Sequence, residues 1–298
     1  MATSFTDDLR LAHVLADDAD STSTSRFKAL DLHVLTKPDL TPVTDADKSV
    51  EEGIRRTLSR ARPRDAVLGE EQGATGHSQR RWVVDPIDGT KNFVRGVPVW
   101  ATLIALMVED EVVAGVVSAP MLQRRWWAAQ GGGAWTGRSL FKASECHVSD
   151  VSRLDDASLS YASLSGWEQR DRLDAFLALS RRCWRTRAYG DFWSYMLLAE
   201  GAVDLAAEPE LHLYDMAALD VIVREAGGSF TALDGTPGPH GGDALASNGR
   251  LHEQALAFLG GLGNDTEDPD VAAPRRPASL HDLSARRRAS ERPDFGEE

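Results

Sequence analysis

The stretch WVVDPIDGTKNF, residues 82–93, constrains this chain more than any other. Trp82-Val83-Val84 is apolar and strand-like, and it stops abruptly at Asp85-Pro86. A second acid, Asp88, follows three residues later, ahead of Gly89-Thr90. Proline stiffens such a turn, and Asp-Gly is a turn dipeptide. Two carboxylates held near one another at the end of a buried strand cost free energy unless something positive sits between them. Whatever fold forms has to supply that charge.

The rest of the composition says what surrounds this point. With 298 residues, 42% of them hydrophobic, the chain can bury a large core as one domain or two intimately joined ones. A formal net charge of −13 argues against nucleic acid as a partner, since phosphate backbones demand a basic face. Only two cysteines, Cys146 and Cys183, are present, so neither a disulfide framework nor a thiolate zinc site is expected. The first residues, MATSFTDDLR, lack the basic start and apolar stretch of a signal peptide. The longest apolar run, 97–108, is too short to span a bilayer. The expectation is a cytoplasmic protein with no membrane and no nucleic-acid partner.

Periodicity predicts an α+β, mixed α/β chain. Phe5, Leu9, Ala12, Leu15 and Ala16 recur at helical spacing, giving a helix over roughly 5–29, and 49–60 reads as a second. Strand-like runs follow at 66–69, 81–85, 101–108 and 111–120, the last two as a hairpin, and 126–135 continues the sheet. After about residue 150 helices and strands alternate: a helix at 168–181, a helix and strand on either side of Gly201, a helix at 214–228 ending in Gly-Gly, and a last one at 251–262. The chain therefore divides into an N-terminal part, 1–150, a C-terminal part, 151–262, that completes the site, and a charged, proline-rich tail, 263–298, expected to be disordered.

Four acids stand at element ends, where side chains can aim into a cleft: Glu70 in LGEEQG, Asp85 and Asp88 in DPIDGT, and Asp215 in LYDMAAL. Singly each has an ordinary reading. Glu70-Glu71 is a solvated acidic turn, Asp215 a helix N-cap and Asp88-Gly89 a turn. Asp85-Pro86 straight after a buried run is less comfortable as structure. Together the four suit a hard divalent ion, which takes oxygen ligands and completes its shell with water and phosphate.

GEEQG, WVVDPIDGTKNF and YDMAALDVIVREAGG resemble the signature segments of the inositol-monophosphatase family of Mg²⁺-dependent phosphatases. LTKPDLTPVTDAD adds Lys37, Asp39, Thr44 and Asp47 in family-like spacing, while Tyr214 stands where the family usually has Trp. The resemblance implies a layered α-β-α-β-α fold, a homodimer, and a cleft holding two or three Mg²⁺ ions, or Mn²⁺ in their place. By matching positions, Glu70, Asp85 and the Ile87 carbonyl would hold one metal, Asp85, Asp88 and Asp215 a second, and Glu70 would help with a third. Thr90, with Asp47 behind it, would activate the attacking water. Asp47 reads equally as the N-cap of the helix at KSVEEGIRR.

Gly89 and Thr90 begin a short helix whose N–H groups would meet a phosphate oxygen, with Lys91 beside them. AYGDFWSY followed by AAEP is similar to the bacterial histidinol-phosphate phosphatase branch of the family. That substrate carries a cationic amine and an imidazole. Asp191 and Glu208 would pair with the cation, Phe192 or Trp193 would pack on the ring, and Arg187 would contact phosphate or brace the acids. Gly190 opens this segment. An inositol or sugar phosphatase is the near alternative. A metal-binding scaffold without catalysis is the distant one, disfavoured because Glu70, Asp85, Asp88, Thr90 and Asp215 are all present.

Overall fold

The computed structural model describes residues 5–38, 40–140 and 142–260; Asp39 and the expected tail lie outside the described residues. Two helices, α1 (Thr6–Arg26) and α2 (Asp45–Ala61), turn Leu15, Ala16, Val50, Ile54 and Leu58 onto one face of a sheet. Between them β1 (Val34–Thr36) and β2 (Pro42–Thr44) pair as an antiparallel hairpin. The sheet itself contains β3 (Ala66–Gly69), β4 (Gly73–Thr75), β5 (Arg80–Asp88), β6 (Ala101–Val108), β7 (Glu111–Ala119), β8 (Arg124–Ala129), β9 (Ala134–Ser139) and β10 (Lys142–Cys146). Its spatial order is β10-β9-β8-β7-β6-β5-β3-β4, with only β3 and β5 parallel. A short helix, α3 (Thr90–Arg95), leaves the end of β5.

The second sheet has the order β12-β11-β13-β15-β14. Its strands are β11 (Ser158–Ser160), β12 (Arg185–Arg187), β13 (Leu205–Glu208), β14 (Ser229–Thr231) and β15 (Ala244–Ser247). On its outer side α4 (Leu164–Gln169), α5 (Leu173–Arg182) and α8 (His252–Leu259) close a core of Leu159, Trp167, Phe176, Leu205 and Leu245. Between the sheets lie α6 (Asp191–Ala199) and α7 (Leu213–Glu225), whose Phe192, Tyr195, Met216 and Ile222 share one core with residues of both sheets. The layers therefore run α-β-α-β-α. Alternate residues of β5 and β6 enter different cores: Val84 and Ile104 face α1 and α2, whereas Val83 and Leu103 face α7. A sheet covered on both faces explains why these strands read as unbroken apolar runs.

Where sequence reading and structure differ, local geometry gives the reason. β5 does not stop before the acids but continues to Asp88, with its register to β6 shifting between Asp85 and Asp88. The expected helix at 168–181 is two helices, broken where Asp171 adopts a left-handed φ of 55°. The N-cap of α2 is Thr44, and Asp47 is its third residue, so the capping-box partner rather than the cap. Asp215 likewise occupies the third position of α7, behind His212. Among the described residues no helix is long and apolar enough to cross a membrane.

Candidate active site

The irregularity in β5 is what aims its acids. Thr102 Oγ1 donates to the Pro86 carbonyl (2.8 Å) and Ile87 N to Asp85 Oδ1 (2.9 Å), so the turn is fixed from both sides. Asp88 Oδ2 accepts from Phe192 N (2.6 Å) at the start of α6, and Asp215 Oδ2 from His212 N (2.7 Å) at the start of α7. Each of these backbone bonds leaves carboxylate oxygen free to point inward. Asp85, Asp88 and Asp215 each place an oxygen so that all three lie within 4.8 Å of one another.

Among the described residues no lysine or arginine lies in that cluster, and crowding there favours the protonated acids. Burial, then the charges of Glu70, Asp88 and Asp215, raises Asp85 well above the carboxylate range. Burial followed by Asp191 and Asp215 does the same to Asp88. Asp215 is pushed up to about 7, chiefly by burial, with its bond from His212 working the other way and Asp85 hydrogen-bonded beside it. The donor set is all carboxylate, with no thiolate or imidazole. This suits a hard divalent cation, whose charge would replace the shared protons.

Glu70 is not one of these three; its Oε1 lies 2.7 Å from Lys37 Nζ, which also reaches Glu71. Its loop is pinned from below by Glu51 of α2, a fully buried carboxylate that accepts from the N–H groups of Glu71 (2.7 Å) and Gln72 (3.1 Å). A Cβ at Gly69 would lie 2.3 Å from that carboxylate, so a larger residue there displaces Glu51 from its loop contacts. Asp47 is buried between two tasks. Its Oδ2 accepts from Thr44 N (2.7 Å) and Thr44 Oγ1 (2.6 Å), and its Oδ1 faces Thr90 Oγ1 at 3.3 Å. The same Thr90 hydroxyl lies 3.0 Å from the Ile87 carbonyl.

A second group of acids forms where Gly190 (φ 79°) and Asp191 (φ 49°) turn into α6. Asn92 of α3 donates to the Val99 carbonyl (2.9 Å) and to Asp191 Oδ2 (3.2 Å), holding the acid over Gly89, where a Cβ would sit 3.2 Å from it. Burial raises Asp191, and the exposed Lys91 opposes that rise. Glu208 ends β13, buried, and is pushed up to about 8 by burial and then by Asp191, although a backbone bond from Ala162 favours its ionised form. Phe192 meets the site through its backbone N–H only; its ring is fully buried, 6.1 Å from that of Trp126. Trp193 is half-buried and edge-on to Tyr189. Arg187 sits apart on the exposed side of β12, donating to the Thr186 carbonyl.

Asn92 and the Phe192 N–H were not singled out from sequence. Asn92 lies inside the quoted TKNF segment but reads as ordinary helix, and a backbone donor leaves no side-chain signature. Lys37 was matched without a role.

A sequence profile of the inositol monophosphatase family matches residues 9–263. The chain is 67% identical over 259 residues to a histidinol-phosphatase of Streptomyces coelicolor, covering 86% of this chain and 97% of that one. It is 59% identical over 254 residues to a histidinol-phosphatase of Mycobacterium tuberculosis, covering 85% and 98%. Among solved structures, an inositol monophosphatase from Zymomonas mobilis superposes with a TM-score of 0.76 at 33% identity, covering 86% of this chain and 99% of that one. By sequence across most of its length and by fold, the chain belongs to the inositol monophosphatase family.

Proposed function

We propose that this protein hydrolyses a small-molecule phosphate monoester, L-histidinol phosphate, with Mg²⁺ or Mn²⁺ held by Asp85, Asp88, Asp215, Glu70 and the Ile87 carbonyl. The observation that carries this reading is the convergence of three carboxylates, Asp85 buried and Asp88 and Asp215 half-buried, with no cationic side chain among them in the described residues. Divalent ions bound there would neutralise the phosphate dianion and lower the pKa of water. The chain's own groups do the rest. Thr90 Oγ1 accepts a hydrogen bond from the attacking water while donating to Asp47 Oδ1, 3.3 Å away, so a proton leaving the water has a two-step path to a buried carboxylate. Asp47 is held for this by Thr44. The first N–H groups of α3, at Gly89, Thr90 and Lys91, have no partner inside the helix and would be free to bind the phosphate.

The substrate choice is supported by the names of the relatives at 67% and 59% identity and by the chemistry of the leaving-group side. Asp191, half-buried, and Glu208, buried, are two acids whose crowding favours a positive partner there. A protonated amine supplies one and a neutral polyol does not. A homodimer and a cytoplasmic location belong to the same reading. Phosphate release from histidinol phosphate and from inositol 1-phosphate, with Mg²⁺ and with chelator, tests it. The expected result is chelator-sensitive hydrolysis with kcat/KM at least about 10-fold higher for the aminated ester. Equal or greater activity on inositol 1-phosphate contradicts the substrate, and full activity in chelator contradicts the metal.

A further inference from the structure

Tyr195 is fully buried on α6, its ring 5.8 Å from that of Phe230, yet among the described residues its hydroxyl has no hydrogen-bond partner. Glu208 ends β13, whose Ala206 shares a core with Tyr195, and its Oε1 is also buried and without a partner among the described residues. A buried, unpaired phenol is destabilising, and phenylalanine would fill the same space without that penalty. The two orphans are complementary, one able to donate and the other to accept. Burial, and then the charge of Glu208 ahead of Asp88, Asp215 and Asp243, pushes the phenol well above its ordinary range, so it stays a donor. Glu208 meanwhile is tied from a third side by the Ala162 backbone.

We infer that Tyr195 is a specificity-determining positioning residue: its hydroxyl donates to Glu208 when a cationic leaving group occupies the carboxylate's open side. The phenol does not touch substrate. It fixes the acid that does, and it is satisfied only in that liganded state. The inference rests on the proposed function, because it assigns the ammonium-bearing end of that substrate to Glu208.

Tyr195→Phe tests it, read as the ratio of kcat/KM for L-histidinol phosphate to kcat/KM for 4-nitrophenyl phosphate, which has no cation. Loss of one hydrogen bond to a charged group is worth about tenfold, so the ratio is expected to fall by about that factor, with the change in KM rather than kcat. Thermal stability of the variant equal to or above that of the parent shows that folding is not the cause. Glu208→Gln, which keeps the shape and loses the charge, is expected to lower the ratio as well, and adding Tyr195→Phe to it to lower it no further. An unchanged ratio in Tyr195→Phe, or an equal loss on both esters, overturns the role of Tyr195 and leaves the proposed function standing. A parent enzyme that does not favour the aminated ester overturns both.

Discussion

His13 shows at the scale of one residue how burial sets a property that sequence does not reveal. It sits on α1 against Trp127, ring centroids 4.9 Å apart, with Arg125 Nη1 3.3 Å from its Nδ1. Burial and then Arg125 lower its pKa to about 4, with Asp17 acting in the opposite sense. In the unfolded chain a histidine titrates near about 6.5. Between these values the unfolded state binds more protons, so this contribution to stability is present above about 6.5 and is lost as pH falls through about 4. His13→Gln is expected to remove it. The stability difference between parent and variant in urea should narrow by about 1–3 kcal/mol from pH 7 to pH 4.5. A difference independent of pH contradicts the assignment. The same lesson applies to the site. Asp85 and Asp88 were legible because a proline and a glycine flank them, whereas Tyr195 reads as an ordinary aromatic in a helix. Only the absence of a partner for its hydroxyl marks it.

At the scale of elements, the close approach of α7 to β7 sets where Asp215 stands relative to β5. Gly115 makes that approach possible: a Cβ there would lie 2.7 Å from Val221 Cγ1 and 3.1 Å from the backbone of Ala218. Gly115→Val is expected to destabilise the fold by about 1–3 kcal/mol through overpacking. Trimming the opposing side chain with Val221→Ala should recover part of this loss, a coupling that a double-mutant thermal-melt cycle measures. Strict additivity contradicts the contact. The long strands and helices were readable because each alternates its side chains between two cores or turns one stripe inward. β4 and β10 were not, being short strands at the two edges of the sheet, and β10 is largely exposed. The β1–β2 hairpin escaped for the same reason, with all of β1 exposed. The split at Asp171 depends on one residue in left-handed conformation, to which a hydrophobic pattern is blind.

At the scale of the whole molecule, five layers bring together acids from a bulged strand and the first turn of a helix. β5, α6 and α7 meet at one point: the Phe192 N–H of α6 orients Asp88 of β5, whereas β5 and α7 orient their own Asp85 and Asp215 through the Ile87 and His212 N–H groups. The family resemblance in DPIDGT made the site legible, but not its protonation. The central claim is that Asp85, Asp88 and Asp215 exchange shared protons for a divalent cation. Calorimetric titration of Mg²⁺ into the protein at pH 7, in two buffers of different ionisation enthalpy, measures this directly. Saturable binding with net release of protons is predicted, and loss of most of that binding in folded Asp88→Asn. Heats without saturation, or binding that releases no protons and survives in Asp88→Asn, would contradict it.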